Sequence, residues 1–236
     1  MVNRSSSQTS LSKFLDSKIT GLIFVFLLFF GLCLNVYADA RDQAKRMHDR
    51  LVGIAPSATV LQQMADQITA GNDIAAANIA MSNATFYNVA LKNFITPWTN
   101  VPQTVFAPLN DYTATVIGII RDDRPFKEVL TGDIIYKGKD GVVTAPYSQT
   151  DNQHYIQLED NNIDLSAIEI DANGDPILGP DGYPKGIFLE KVTQSGLLDS
   201  QLGAGDTAGV ITSRAAGEAF FIGGTNRRMW RFIGIN

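Results

Sequence analysis

Apolar residues recur at helical spacing along the first half of the chain and lose that rhythm beyond about residue 136. In "RDQAKRMHDRLVG", Ala44, Met47 and Leu51 form one stripe and Gly53 follows as a stop. "APSATVLQQMADQITAG" repeats the design, with Ser57 as the cap, Val60, Leu61, Met64 and Ile68 as the apolar face, and Gly71 at the left-handed end. "NDIAAANIAMS" reads as a short Ala-rich helix. "ATFYNVALKNFITPW" sets Phe86, Tyr87, Ala90, Leu91, Phe94 and Ile95 along a face before Pro97 ends it.

"LNDYTATVIGIIRDD" predicts a further helix, started by Asn110 or Asp111, with Tyr112, Val116, Ile119 and Ile120 inward; its β-branched residues leave a strand as the alternative. The charge-dense run "RDDRPFKEVLTGD" then reads as a capped helix start. Asp122 or Asp123 would accept the free N–H groups, Pro125 would sit in the first turn, and Phe126, Val129 and Leu130 would form the buried stripe before Gly132.

From Lys137 the chain is rich in Gly, Pro, Asp and Asn, which predicts irregular chain and hairpins rather than helix. Segments 168–170 and 186–189 are expected to pair, with Asn173-Gly174 and Asp181-Gly182 as tight turns. Helical potential returns in "AGVITSRAAGEAFFIGGTNRRMWRFIGIN", broken at Gly223-Gly224, and no internal repeat stands out. The expected fold is therefore mainly α: a helical region over 39–136, an irregular insert containing β-hairpins over 137–204, and a C-terminal helical segment over 205–236.

The N-terminus changes the picture of where the protein works. A polar leader with Arg4, Lys13 and Lys18 precedes an apolar run from Leu22 to Leu34 and small residues at Val36 and Ala38. This predicts a signal peptide over 1–38, cleaved after Ala38 or, alternatively, after Ala40, and hence a secreted or periplasmic protein. An uncleaved anchor is the competing reading, and would be the one route to the membrane. Lipidation at Cys33 is disfavoured by the preceding "FGL". Cys33 is the one cysteine, so the mature chain would have no thiol for disulfides, zinc or iron–sulfur ligation, or nucleophilic catalysis. The formal charge is −5, and loss of the leader's three basic residues and Asp16 takes it to −7. Such a balance argues against nucleic acid as a partner.

Candidate chemistry is sparse. Asp171, Asn173 and Asp175 alternate as in a calcium loop, but Pro176 stands where the turn glycine belongs and the closing Glu is missing. Calcium is therefore a weak candidate, beside a solvated hairpin, and no other cofactor is expected in the chain. His48 and His154 are about a hundred residues apart, one on a charged helix and one in a loop, and neither has a local metal partner. No nucleophile elbow surrounds Ser195, and "GGTNRR" lacks the Lys-Ser/Thr of a phosphate loop. A glycosidase-like acid pair would draw on Asp111, Asp122, Asp123, Glu128 and Asp133. Arg227, Arg228 and Arg231, with Trp230, form the one basic and aromatic patch, suited to an acidic partner.

Three blocks in order resemble the secreted planctomycete-type cytochrome-associated proteins, large multi-domain bacterial proteins of largely unknown activity. "RLVGIAPSATVLQQMADQI" with "MSNATFYNVALKNFITPW" is similar to that family's Leu-x-Gly-x-x-Pro-Ser helix start and its Ser-x-x-Phe/Tyr helix ending in Trp. "DDRPFKEVLTGD" is similar to its Pro-Phe/Tyr-x-x-x-Leu-Thr/Ala-x-Asp helix. "AGVITSRAAGEAFFIGGTNRRMWRFI" resembles its Gly-Val-Leu-Thr block and arginine-bearing turn. The resemblance spans about two thirds of the mature chain. It implies a link to envelope electron-transfer or polymer-processing systems, with a haem-bearing protein or segment as partner. The family usually continues into a Cys-x-x-Cys-His haem segment, whereas this sequence stops at Asn236, so either a truncated reading frame or a natural short relative is expected. The leading expectation is a non-catalytic scaffold or partner module; the alternatives are an acid-pair hydrolase and a calcium-stabilised surface protein.

Overall fold

The structure, a computed structural model, describes residues 39–100, 102–197, 202–203 and 205–222. Both the apolar run of the leader and the Arg227–Arg231 patch lie outside the described residues. Among the described residues the fold is mainly α, with eight α-helices and one two-stranded antiparallel sheet. None of these helices is long and apolar enough to cross a membrane.

Helices α1 (Ala40–Val52), α2 (Ala58–Thr69) and α3 (Asp73–Met81) pack on one another. Their ends follow the predicted chemistry: Ser57 accepts the Val60 N–H, and Gly53 and Gly71 take φ of 79° and 76°. A small core of Ala44, Val52, Met64, Ala76 and Ala80 lies between them. Alanines on facing helices allow close approach where larger side chains would hold the helices apart.

The next helical stretch has three parts. A π-helical segment (Phe86–Leu91) leads into α4 (Lys92–Ile95) and then a 3-10 turn (Thr96–Thr99) that holds Pro97. Tyr87 and Leu91 touch both the N-terminal core and the larger central core. The wider π winding shifts the face, so that Phe94, expected inward, is 65% exposed. Its ring meets Trp98 edge-on at 5.3 Å, and Trp98 in turn meets Tyr112 at 6.3 Å.

Helix α5 (Asp111–Arg121), capped by Asn110, is the axis of the central core. It is a helix, not a strand, and all but one of its residues are buried, Ile120 being half-exposed. A helix hidden all round has no amphipathic stripe to read. Beside it run β1 (Ile135–Gly138) and β2 (Leu189–Val192), paired antiparallel with Ile135 opposite Val192. Gly118 lets the Tyr136 ring lie directly on the α5 backbone.

Two expectations need correction. The helix expected over 125–132 is a single turn, α6 (Glu128–Thr131), with no side-chain cap; Phe126 and Leu130 are 59% and 52% exposed, and Val129 alone of the stripe is buried. The stretch expected to be irregular contains α7 (Gln153–Asp160), which buries His154, Tyr155 and Leu158 against the core. The short i, i+3 spacing of Tyr155 and Leu158 was masked by polar neighbours.

The predicted pairing of 168–170 with 186–189 is present as a bridge between Ile168 and Gly186, within a more regular device than two strands. Glu169 N–H donates to the Lys185 carbonyl, Lys185 N–H to that of Ile177, and Ile177 N–H to that of Glu169, at 2.7 to 2.9 Å. Positions eight residues apart thus close a cycle. The corners repeat it: Asp171 N–H donates to Asp175, Gly179 to Tyr183, and Ile187 back to Ala167. The sequence behind this three-sided arm is an internal repeat that periodicity did not reveal, Asn173-Gly-Asp-Pro176 and Asp181-Gly-Tyr-Pro184, whose glycines take φ of 90° and 81°. The described residues end with α8 (Arg214–Gly217), capped by Ser213, and a π turn (Glu218–Ile222).

Candidate functional site

The acids singled out in the sequence go to separate places. Asp111, fully buried at the start of α5, accepts the N–H groups of Arg214 and Ala215 at 2.6 and 3.0 Å, and so holds the start of α8 against the core. Burial pushes its pKa up, against the lowering effect of Arg214 and of those N–H groups. Asp133 accepts both the N–H and the hydroxyl of Ser195. Glu128 pairs with Arg124 at 2.8 Å. Asp123 is exposed in the left-handed region, φ 51°, just past the end of α5.

Asp122 does not cap the following helix. It accepts Arg121 Nε at 2.6 Å and Nη2 at 3.0 Å, and the Tyr136 hydroxyl at 2.5 Å. Arg121, its side chain 2% exposed, extends Nη1 to the Leu165 and Leu189 carbonyls at 3.4 and 3.1 Å. A guanidinium buried this deeply needs its donors satisfied, and the loop at Leu165 and the start of β2 at Leu189 supply the acceptors. Burial, reinforced by the Asp122 charge, pushes the Tyr136 hydroxyl far above its usual range. The opening charges of "RDDR" are thus a buried clamp joining α5, β1 and β2.

Both histidines are buried. His48 Nδ1 lies 2.9 Å from the Ile54 carbonyl in the N-terminal core, buried rather than displayed on a charged surface. His154 Nε2 accepts the Gly138 N–H at 2.9 Å while Nδ1 faces the Ala145 carbonyl at 2.8 Å, an arrangement that fixes the Nδ1–H tautomer. Burial holds its pKa below 6.5. The ring borders a cavity of about 430 Å³ whose wall includes Lys137, Lys139 and Tyr147.

Asp171 Oδ1 accepts the Asn173 and Asp175 N–H groups at 2.8 and 2.9 Å, closing the first corner of the arm. Among the described residues no three His, Asp or Glu side chains gather as a metal ligand set would.

Sequence reasoning missed a cleft of about 370 Å³ where the three-sided arm meets the clamp. Arg124, Lys139, Lys185 and Lys191 line it from four separate stretches of chain. Asp181 binds Arg124 and Lys191 at 2.8 and 2.7 Å, and Glu169 binds Lys139 and Lys185 at 2.8 and 3.0 Å. Arg124 lies 4.0 Å over the Tyr183 ring. Burial works against ionisation of Asp181, but hydrogen bonds from Lys191 and Arg124 outweigh it and hold the carboxyl at about 2. The signal for this cleft was the repeat itself, which brings Asp181 and Tyr183 onto Arg124 and Lys185 onto Glu169. Compared with known protein families, curated proteins and solved structures, the chain matches none of them.

Proposed function

We propose that the protein is a secreted or periplasmic, non-catalytic scaffold or partner module that works beside haem-bearing proteins of the cell envelope. The observation that supports it most is where the ionisable side chains are committed. Asp111, Asp122, Glu128 and Asp133 hold four different parts of the fold together, and both ring nitrogens of His154 are taken by backbone. General acid–base catalysis needs a proton-transfer group within reach of substrate, and a two-acid hydrolase needs both acids on one cleft. The calcium reading draws no further support, because the Asp171 carboxylate is bonded to its own turn.

Large apolar side chains stand in solvent instead: Phe94, Phe106, Phe126 and Leu130 are all more than half exposed. Exposed apolar side chains of this size are available to a partner's surface. The signal-like leader supports the envelope location, and the three-block resemblance supports the haem-bearing neighbour.

Chemical cross-linking in cells of the native host, followed by purification of the chain and haem staining of its adducts, tests this reading. A discrete adduct that stains for haem is expected. A chain recovered without any adduct, or in the cytoplasmic fraction, would sink it.

A further inference from the structure

His154 holds two stretches of chain at once. Its Nε2 accepts the N–H of Gly138, the last residue of β1, at 2.9 Å, and its Nδ1–H donates to the Ala145 carbonyl at 2.8 Å. The loop that follows β1, running on to Tyr147, forms most of the wall of the cavity of about 430 Å³ that the ring borders. The fit at the strand is close. A Cβ on Gly138 would stand 3.1 Å from Nε2 and 2.9 Å from Leu158 Cδ2, so the ring packs directly on the β1 backbone. Gln157, one turn further along α7, adds a second hold on the loop, its Oε1 accepting the N–H and hydroxyl of Thr144 and the N–H of Ala145 at 2.9 to 3.1 Å.

The two holds differ in one respect. An amide oxygen accepts at any pH, whereas Nε2 accepts only while it carries no proton. Protonation would set N–H against N–H at Gly138, a buried residue, and leave that backbone donor without a partner. It would also put a cation where burial disfavours one. Burial holds the His154 pKa below 6.5, and Lys137 adds to the effect while the Ala145 bond and Asp140 oppose it. Other charged groups around the ring are bonded elsewhere: Lys137 to Asp140 and to Glu190 of β2, and Lys139 to Glu169. Tyr147 and Tyr155, whose rings meet His154 edge-on, stay neutral because burial raises both hydroxyls, and Asp111 and Arg214 act on those two tyrosines.

We propose that His154 is a proton-operated latch: uncharged, it ties the loop 139–147 to the end of β1, and protonated, it lets go and opens the cavity that the loop walls. A buried imidazolium gains most by swinging into that cavity, where water can reach it, and the swing breaks the Ala145 bond along with the Gly138 one. Gln157 is then left as the hold of α7 on the loop, so the release is local and the core around α5 stays closed. The tie is complete above 6.5 and is lost as pH falls through the lower folded value. The latch does not depend on what the protein binds.

The test is NMR of the full, nitrogen-labelled chain, titrated from about pH 8 to about pH 5. At the alkaline end a nitrogen–nitrogen coupling across the hydrogen bond should join the Gly138 amide to His154 Nε2. As the ring titrates, that coupling should vanish. Hydrogen-exchange protection of Gly138, Thr144 and Ala145, corrected for the intrinsic effect of pH on exchange, should fall by about tenfold or more while that of α5 holds. In H154Q, whose amide takes up no proton in this range, protection of Thr144 and Ala145 should not vary with pH. The wild-type coupling and exchange decide the question even if that variant does not fold. Absence of the coupling at the alkaline end, loop protection unchanged across the titration, α5 losing protection in step with the loop, or an H154Q loop with the wild-type pH dependence would each overturn the proposal.

Discussion

Arg121 grips the carboxylate of Asp122, its own neighbour in the chain, through two hydrogen bonds of 2.6 and 3.0 Å, and both side chains are at most 3% exposed. A pair this close in sequence gains little from being joined, since it is near at hand in the unfolded chain too. Its importance lies in what each member reaches next: Leu165 and Leu189 from the guanidinium, Tyr136 from the carboxylate. Removing one member leaves the other charged, buried and alone. Arg121→Met should therefore cost about 3–5 kcal/mol, and Tyr136→Phe, which removes one bond to a charge, about 1.5–3 kcal/mol. Urea unfolding of these variants, of D122L and of R121M/D122L decides the matter: a double variant as costly as the sum of R121M and D122L would mean that the pair is not coupled.

Gly118 and Tyr136 fix the spacing between α5 and the sheet. A Cβ on Gly118 would lie inside the Tyr136 ring, and the ring cannot retreat because its hydroxyl is bonded to Asp122. Gly118→Ala, which raises helix propensity at a mid-helix site, should nonetheless destabilise by about 1–3 kcal/mol or more. A thermal midpoint equal to or above that of the wild type would contradict this packing.

His154 makes stability depend on pH in a definite direction. Burial holds its folded pKa below 6.5, and protonation would turn Nε2 into a donor facing the Gly138 N–H. The neutral ring's contribution is fully present above the unfolded value of 6.5 and is lost as pH falls through the lower folded value. Urea midpoints should therefore drop between neutral pH and the folded pKa of His154, and H154Q should flatten that drop. NMR of the imidazole gives a direct check: a ring in the folded protein titrating at or above 6.5 would refute the assignment.

The parts of the fold written in short-range chemistry were legible. Ser57, Gly53 and Gly71 mark helix ends because capping involves residues only a few positions apart, and the tight turns at Gly174 and Gly182 follow from a backbone conformation that glycine favours. The clamp was not legible, because the acceptors that make a buried arginine tolerable, Leu165 and Leu189, are 44 and 68 residues away and are backbone carbonyls, which any residue supplies. Read locally, Asp122 looked like a cap; its tertiary partners decide otherwise. Phe94 was misplaced because a π segment upstream rotates the face by a fraction of a turn, a shift that a spacing of 3.6 cannot anticipate. The cleft combines both difficulties, since its cations come from stretches that meet only once the arm has closed.

That closure also limits how the arm can change length. Because each side of the triangle bonds to the next and the third returns to the first, a single extra unit of eight residues would have no neighbour on which to close. A longer arm of the same kind would have to arrive as a whole added storey, three units together, while substitutions within a side remain free. Size in this part of the molecule is therefore quantised, and its surface chemistry is not.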